Sequence, residues 1–435
     1  MRKLITYYSL LLFFSVATAL ECGAQDAFTK GRQRWWSKHR THAISLYQWL
    51  HKHPELSLEE EQTASKLVGE WRDLGLTVVP KIGGHGLVGV FKNGDGPTVM
   101  FRTDLDALPV VETTELSYAS RNNGVMHACG HDIHMTNATF VAKYLIERKE
   151  IWSGTIMLIG QPAEERGLGA RRMLDDGLFT RFPKPDFGLA IHVDGNLATG
   201  KIKTAPGYVG ASSDSVDITV KGRGGHGSAP HTTIDPIVQA ADLIMSLQTI
   251  VSRETNPTDA AVVTVGSIQG GTKHNIIPDE CHLQLTVRSH SEETRARLIK
   301  SIRQRALGIA NAYGAAEPTL VVSEGVPALR NSEEMASRLK PVFVSEIGEA
   351  NVGIAERTMG FEDFSQFGAA GVPTLMFGVG SISPERLKQY QQKGGPPSLH
   401  SAEYFPDAGA TLQTAFLVTS AAMLELLHTP SSAQE

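Results

Sequence analysis

The ten residues MHACGHDIHM, at positions 126–135, carry three histidines, an aspartate and one of only three cysteines in the chain. Side chains of this kind in one place serve a metal ion, a nucleophile, or packing alone. Cys129 and His131 form a C-x-H pair just ahead of MTNATFVAKYLIER, a stretch of helical period, so both stand at a predicted helix start. The pair by itself leaves all three readings open. His127 and His134 fit capping or surface positions equally well.

Two adjacent carboxylates, Glu164 and Glu165, follow the run TIMLIG in the segment GQPAEERGLG. Pro162 and Ala163 separate run from acids, which is loop chemistry, and open α/β sheets place their sites beyond the C-terminal ends of strands. A second run, FGLAIHV, ends near His192, and PSLHSAEYF places His400 in a proline-flanked loop near the C-terminus. Cysteine, histidine and glutamate donors gathered at strand ends suit zinc, manganese, cobalt or nickel. A cysteine hydrolase with Cys129 as nucleophile and a nearby histidine as base uses fewer of these residues. A noncatalytic protein that captures a small ligand in a cleft is a further reading.

The elements that must position these groups fall into two patterns. Over 28–206, helical periodicity in HAISLYQWL and EEEQTASKLVGEWRDL gives way to the short apolar runs GLVGVF, PTVMF, TIMLIG and FGLAIHV. Runs without alternation predict strands covered on both faces, as in a largely parallel sheet. Over 207–327 the pattern changes: SDSVDITVKG alternates apolar and polar residues, then come a helix over 235–252, strands at AVVTVGSI and CHLQLTVR, a helix over 292–313 and a strand at TLVVSE. That order is β-α-β-β-α-β, the ferredoxin-like arrangement. Over 328–435 the α/β pattern resumes with PTLMFG and a terminal helix in GATLQTAFLVTSAAMLELL. The predicted fold class is therefore α/β: a mixed, largely parallel sheet domain, discontinuous over 28–206 and 328–435, with an inserted ferredoxin-like α+β domain over 207–327.

A chain of 435 residues with 41% hydrophobic and 20% charged residues has material for more than one core. Its net charge of -5 and scattered Lys and Arg offer no basic field for nucleic acid. Arg2 and Lys3 precede an apolar run over 4–20 and small-residue cleavage sites at Ala17-Thr18-Ala19 and Cys22-Gly23-Ala24. This predicts a signal peptide over 1–24, a secreted or periplasmic mature protein, and no stable membrane insertion after cleavage. No later segment reads as a membrane span. Glu21 makes Cys22 an awkward lipidation site. Cleavage leaves Cys129 and Cys281, too few for a disulfide framework. Cys281 alternates with Leu283, Leu285 and Val287, which places it on the buried face of a strand; a bridge to Cys129 stays open at this level.

The segments LHKHPELSLEE, RTDLDALPV, MHACGHDIHM, GQPAEERGLGARRML, AIHV, GRGGHGSAPH, HNIIPDE, MGFEDFSQF and LHSAEYF, in this order across nearly the whole chain, resemble the amidohydrolase branch of the aminoacylase and carboxypeptidase G metallopeptidase family. That branch includes hippurate hydrolases, N-acyl-amino-acid amidohydrolases and auxin-conjugate hydrolases. The resemblance implies two divalent metal ions, with Cys129, His131, Glu165, His192 and His400 on the ligand positions. Glu164 falls on the general base toward a metal-activated water, which suits one carboxylate of an adjacent pair. Asp104 and Asp106 match a motif near the metals, with hydrogen bonds to a ligand as their expected role.

The inserted domain is implied to be a lid and dimerisation domain. His226 matches a lid histidine that stabilises the oxyanion, often in the partner subunit's site, so a homodimer is expected. Asn275 and Arg288 match substrate-binding positions, and the planar fork of Arg288 suits a free carboxylate. Gly360 is expected to let the backbone approach that carboxylate. His51 and His53, within a matching motif, are expected to be structural. The implied substrate is an N-acyl or N-aroyl amino acid, or a short peptide with a free carboxylate. PHTTIDP and SISPERLKQYQQKGGPPS read as variable loops.

Overall fold

A computed structural model describes residues 28–323 and 325–428. The expected leader and Cys22 lie outside the described residues. Helix 28–52 opens this part of the chain, and the strands follow as β1 (Thr77–Ile82), β2 (Gly86–Asn93), β3 (Thr98–Asp104), β4 (Gly154–Gln161), β5 (Phe187–Ala198) and β6 (Ile202–Thr204). Next come β7 (Gly207–Tyr208), β8 (Ser212–Lys221), β9 (Gly225–His226), β10 (Ala261–Gly270), β11 (Ile276–Ile277), β12 (Glu280–Ser289), β13 (Thr319–Val322) and β14 (Arg330–Asn331). The chain returns to the first sheet with β15 (Val352–Ile354) and β16 (Thr374–Ile382).

The larger sheet has eight strands in the order β1-β2-β4-β3-β5-β16-β6-β15. Its middle is parallel, β4-β3-β5-β16, and the antiparallel β1 and β2 make one end. Every residue of β4 is buried, because both faces of the sheet are covered. Ile156 and Leu158 point into a core built with the helices, including helix 28–52, His131–Glu147 and Ala408–Leu427. Met157 and Ile159 point into a second core with Ala170, Met173, Phe364 and Phe367. This two-sided burial is why these strands show no polar alternation in sequence.

The second sheet is antiparallel, ordered β10-β12-β8-β13, and its alternation is real. Val216, Ile218, Leu283 and Leu285 pack with Leu243 and Leu247 of helix Pro236–Thr249 and with Leu298 and Ile302 of helix Glu292–Ala312. Asp235 caps the first helix by accepting from the Ile237 and Val238 amides, and Ser291 caps the second. The strand-helix-strand-strand-helix-strand order expected from the sequence is the order observed.

Several expectations need correction. The helix predicted over 235–252 ends at Thr249 and continues as a π-type turn, Ile250–Glu254, whose Ile250 carbonyl accepts from the Thr255 amide. The variable segment near 390 contains a helix, Pro384–Gln391, capped by Ser383. Helix Glu333–Ile347 escaped the sequence reading because Pro341 lies within it. Helix Ala408–Leu427 is long and apolar enough to cross a membrane, yet its apolar window is 83% buried inside the protein. It is a core helix, and its hydropathy reflects neighbours rather than lipid. Cys129 and Cys281 are both buried and free, so no bridge joins them.

Candidate metal centre

The proposed donors converge at the end of the parallel strands. Glu164 and Glu165 follow β4 in a turn held by Ala163, which has a left-handed φ of 49° and donates its amide to Glu60 Oε1 at 2.8 Å. Cys129 and His131 flank Gly130, whose φ is 78° and whose absent Cβ would lie 2.6 Å from Val193 Cγ2. Only glycine meets both demands, so the loop can press against β5. His192 lies within β5 opposite Gly378 of β16. His400 has a φ of 69° and donates its amide to the Ala128 carbonyl at 2.9 Å, which pins its loop to the Cys129 loop.

Cys129 Sγ stands 3.4 Å from His192 Nε2 and 3.3 Å from His400 Nε2. Glu165 Oε1 stands 3.4 Å from His400 Nε2 and 3.8 Å from His131 Nε2. Two triads of donor atoms, Cys129-His131-His192 and Cys129-Glu165-His400, each lie within 4.8 Å of one another and share the sulfur. The rings are oriented for this. His131 Nδ1 bonds to the Asp106 carbonyl and His192 Nδ1 to the Val193 carbonyl, both at 2.8 Å, so each ring turns Nε2 inward. His131 Nε2 and Glu165 Oε1 are buried with no hydrogen-bond partner among the described residues. Orphaned donor atoms facing one another, with ring tautomers fixed from behind, fit a divalent cation.

Asp106 and Asp104 hold the donors in place. Asp106 Oδ2 accepts from Ser57 Oγ at 2.6 Å and from the Glu165 amide at 3.0 Å. Asp104 Oδ1 bonds to His134 Nδ1 at 2.8 Å and Oδ2 accepts from Arg102 Nη1 at 2.7 Å. Burial pushes the Asp104 carboxyl up, but His131, the Arg102 guanidinium and the hydrogen bond from His134 Nδ1 outweigh it and hold it well below its usual range. His134 and His127 are not surface residues: both are buried, His134 on the helix His131–Glu147, which is enclosed along nearly its whole length, and His127 in the loop ahead of it. His134 Nε2 accepts from the Val193 amide at 3.0 Å, so neither ring nitrogen is free for a metal. Burial pulls the His134 ring down to about 4, which keeps it neutral as that acceptor.

The sequence reading missed Arg102, Gln161, Glu362 and Asp363. Arg102 is 1% exposed and donates to Gln161 Oε1 at 2.9 Å, Glu362 Oε1 at 2.8 Å and Asp363 Oδ1 at 3.1 Å. A signal was present: an arginine inside the apolar run VMFRTD must be paired if that run is buried. Glu164 is 6% exposed. Burial, reinforced by the Glu362, Asp363 and Glu165 carboxylates, holds its carboxyl well above the usual range.

A cavity of about 530 Å³ opens on this cluster, with Cys129, Glu164, Glu165, His192 and His400 on its wall. Arg288 and Gly360 border the same cavity, and Val209, Leu329, Met376, Phe377 and Leu399 give it an apolar lining. Arg288 Nη1 donates to the Met359 carbonyl at 2.8 Å, and the Gly360 amide is already taken by Thr358 Oγ1 at 3.1 Å. A Cβ on Gly360 would meet only Thr358, at ordinary contact distance, so no neighbour demands glycine there. His226 and Asn275 are exposed and do not border the cavity. They lie together on the β9–β11 ribbon, where His226 pairs with Ile276 and the Asn275 carbonyl accepts from the Gly227 amide at 2.9 Å. His51 and His53 are structural: His51 bonds to Asp132 Oδ2 at 2.6 Å, and His53 Nδ1 bonds to the Trp49 carbonyl at 2.7 Å.

Residues 100–392 match the model of peptidase family M20/M25/M40. The chain belongs to this family. Thermostable carboxypeptidase 2 of Saccharolobus solfataricus is 36% identical to this M20 member over 348 residues, 79% of this chain and 86% of that protein. Hippurate hydrolase of Campylobacter jejuni is 39% identical over 325 residues, 73% of this chain and 82% of that protein. The crystal structure of Bacillus subtilis YXEP protein, a dinuclear metal binding peptidase from the M20 family, superposes with a TM-score of 0.74 at 28% identity, covering 89% of this chain and 98% of that one. This M20 member is accordingly a hydrolase of amide or peptide bonds from a metal-dependent family.

Proposed function

We propose that the protein hydrolyses the amide bond of N-acyl or N-aroyl amino acids, or of short peptides with a free carboxylate. The observation that carries this reading is one cavity with the metal donors and Glu164 on one part of its wall and Arg288 on another. Arg288 offers a fork for the carboxylate, and the apolar lining receives the acyl or side-chain group. The named activities of the carboxypeptidase and hippurate hydrolase relatives are of this class.

Cys129, His131, Glu165, His192 and His400 would hold two divalent ions. Zinc, manganese, cobalt and nickel all suit this donor set. Ions bound there supply Lewis-acid activation of the attacking water and of the scissile carbonyl. Glu164 accepts the water proton and passes it to the leaving nitrogen. Asp106 keeps Glu165 and the His131 loop in place, while Asp104 pairs with the Arg102 charge and orients the neutral His134 ring. His226 and Asn275 would act in trans, on the cavity of a partner subunit, and the basic-then-apolar N-terminal segment supports export of the mature enzyme.

Screening the manganese- or zinc-loaded enzyme against N-acyl amino acids, with acyl and amino-acid halves varied independently, tests the substrate class. Chelator is expected to abolish turnover. Glu164→Gln is expected to keep its metal by elemental analysis while kcat falls about 10²- to 10⁴-fold; a variant as active as wild type would remove Glu164 from the base role. The Cys129–His192 contact also supports a second reading, a cysteine nucleophile with a histidine base. That reading gives Glu165 and His131 no part. Alkylation of metal-loaded protein separates the two, since a coordinated sulfur is protected and a nucleophile is trapped.

A further inference from the structure

Glu362 has a placement that neither the fold nor the donor set explains. It is 7% exposed and borders the cavity. Its Oε1 is held by Arg102 Nη2 at 2.8 Å and by the Phe364 amide at 2.9 Å. Its other oxygen, Oε2, has no hydrogen-bond partner among the described residues. The adjacent Asp363 is different: Oδ1 accepts from Arg102 and from Gln161 Nε2 at 2.6 Å, and Oδ2 from the Ala170 amide at 3.1 Å. Both Asp363 oxygens are therefore spent on the fold. A buried carboxylate with one unspent oxygen is costly to keep, and Arg102 offsets the charge without covering that oxygen.

The Glu362 carboxyl sits among other acids. One oxygen each from Glu164, Glu362 and Asp363 lie within 4.8 Å of one another. A cation among them is disfavoured, because the Arg102 guanidinium already contacts both Glu362 and Asp363. Met359 accepts from Arg288 through its carbonyl, and Gly360, Phe361 and Glu362, which follow it in the chain, border the same cavity as Arg288. An amino acid carries its α-nitrogen and its α-carboxylate on one carbon. Arg288, the 360–362 segment and Glu164 all border this one cavity, so we place the amide N–H of a substrate anchored at Arg288 beside the 360–362 segment.

We propose that Glu362 is a further catalytic residue, which accepts a hydrogen bond through Oε2 from the substrate amide N–H and holds the leaving amine. The inference rests on the amide-hydrolase reading above. When the C–N bond breaks, its electron pair stays on nitrogen and Glu164 delivers the proton there. Glu362 exchanges no proton. Its N–H···O bond strengthens as positive charge develops on nitrogen, so it contributes more in the transition state than in the ground state. An ester has no N–H at this position and presents a lone pair to the carboxylate instead.

The test compares wild type with Glu362→Gln, both checked for metal content, on an N-acyl amino acid and on the ester built from the matching α-hydroxy acid. In parallel, binding of the free amino acid and of that α-hydroxy acid is measured by calorimetry. Arg102 and the Phe364 amide both demand an acceptor, so the glutamine would turn its NH₂ toward the substrate and donor would meet donor. The expected loss is about 10- to 100-fold in kcat on the amide and a similar weakening of amino-acid binding, from one charge-assisted hydrogen bond. Ester hydrolysis does not fall, and hydroxy-acid binding falls less than amino-acid binding, because the hydroxyl donates to the carboxylate and accepts from the glutamine NH₂. Equal losses for amino acid and hydroxy acid, or no loss for either, overturn the proposal; a purely structural role would also lower metal content. If wild type cleaves no N-acyl amino acid, the substrate reading fails separately, and the binding comparison still decides the role of Glu362.

Discussion

Gly130 shows how narrowly this centre is set at the scale of single residues. Its φ of 78° and the 2.6 Å approach that a Cβ would make to Val193 leave no room for a side chain. Gly130→Ala is expected to cost about 1–2 kcal/mol from backbone strain alone, with more from the clash. It should also weaken metal affinity, because Cys129 and His131 move together. Denaturant midpoints and a metal titration on the same variant check both. Arg102 makes the complementary point, since three carboxylates share one buried guanidinium. His131 and His134 sit three positions apart at one helix start, yet the Val193 amide occupies one ring while the other presents a bare nitrogen.

Among the elements, helix Ala408–Leu427 and helix 28–52 lock the core through Phe416, whose ring lies 5.0 Å from Trp35, 5.3 Å from Trp36 and 5.5 Å from Tyr144. Phe416→Ala is expected to lose about 3–5 kcal/mol of stability, measured by denaturant unfolding. The end of helix 28–52 carries a pH-dependent contribution. His51 bonds to Asp132 and, at 3.3 Å, to Glu112. Burial pulls the His51 ring down, but the Asp132 and Glu112 contacts win and raise it to about 9 from 6.5. Since the folded value is the higher one, the stabilisation is full below pH 6.5 and is lost as pH rises through about 9. Glu112, pushed up by burial but drawn down to about 2 by hydrogen bonds from His51, the Ser120 amide and Thr114, gives a contribution present above pH 4.5 and lost toward pH 2. The stability gap between wild type and His51→Gln should therefore shrink between pH 6.5 and 9; a gap constant across that range would show that the ring contributes by packing alone.

At the scale of the whole molecule, His226 and Asn275 are the unused parts. They sit on an exposed ribbon away from the cavity, in the part of the chain that also presents β10 as a sheet edge. Ile268 on that edge is 50% exposed, and Met245 and Val238 on helix Pro236–Thr249 are 70% and 48% exposed. An open edge strand beside apolar side chains is a pairing surface. The protein is expected to run as a dimer in sedimentation, and Ile268→Lys to shift it toward monomer. If His226 serves a partner's cavity, kcat falls with dissociation and recovers at high protein concentration.

The amino-acid sequence by itself determined the kind of chemistry. Strand runs, the alternating second sheet and the candidate donors Cys129, His131, Glu165, His192 and His400 are local patterns of residue type and spacing, and such patterns survive without a fold. It misjudged His127 and His134, and it did not mark Arg102, Glu362 or Asp363 for any role. Those depend on partners far along the chain: Arg102 and Glu362 are 260 residues apart. Tertiary structure alone decided which nitrogen of each histidine is bare, which carboxylate oxygen is spent and which is left over. A polar atom's function is set by what remains after its neighbours have taken their hydrogen bonds, and only the folded chain supplies those neighbours.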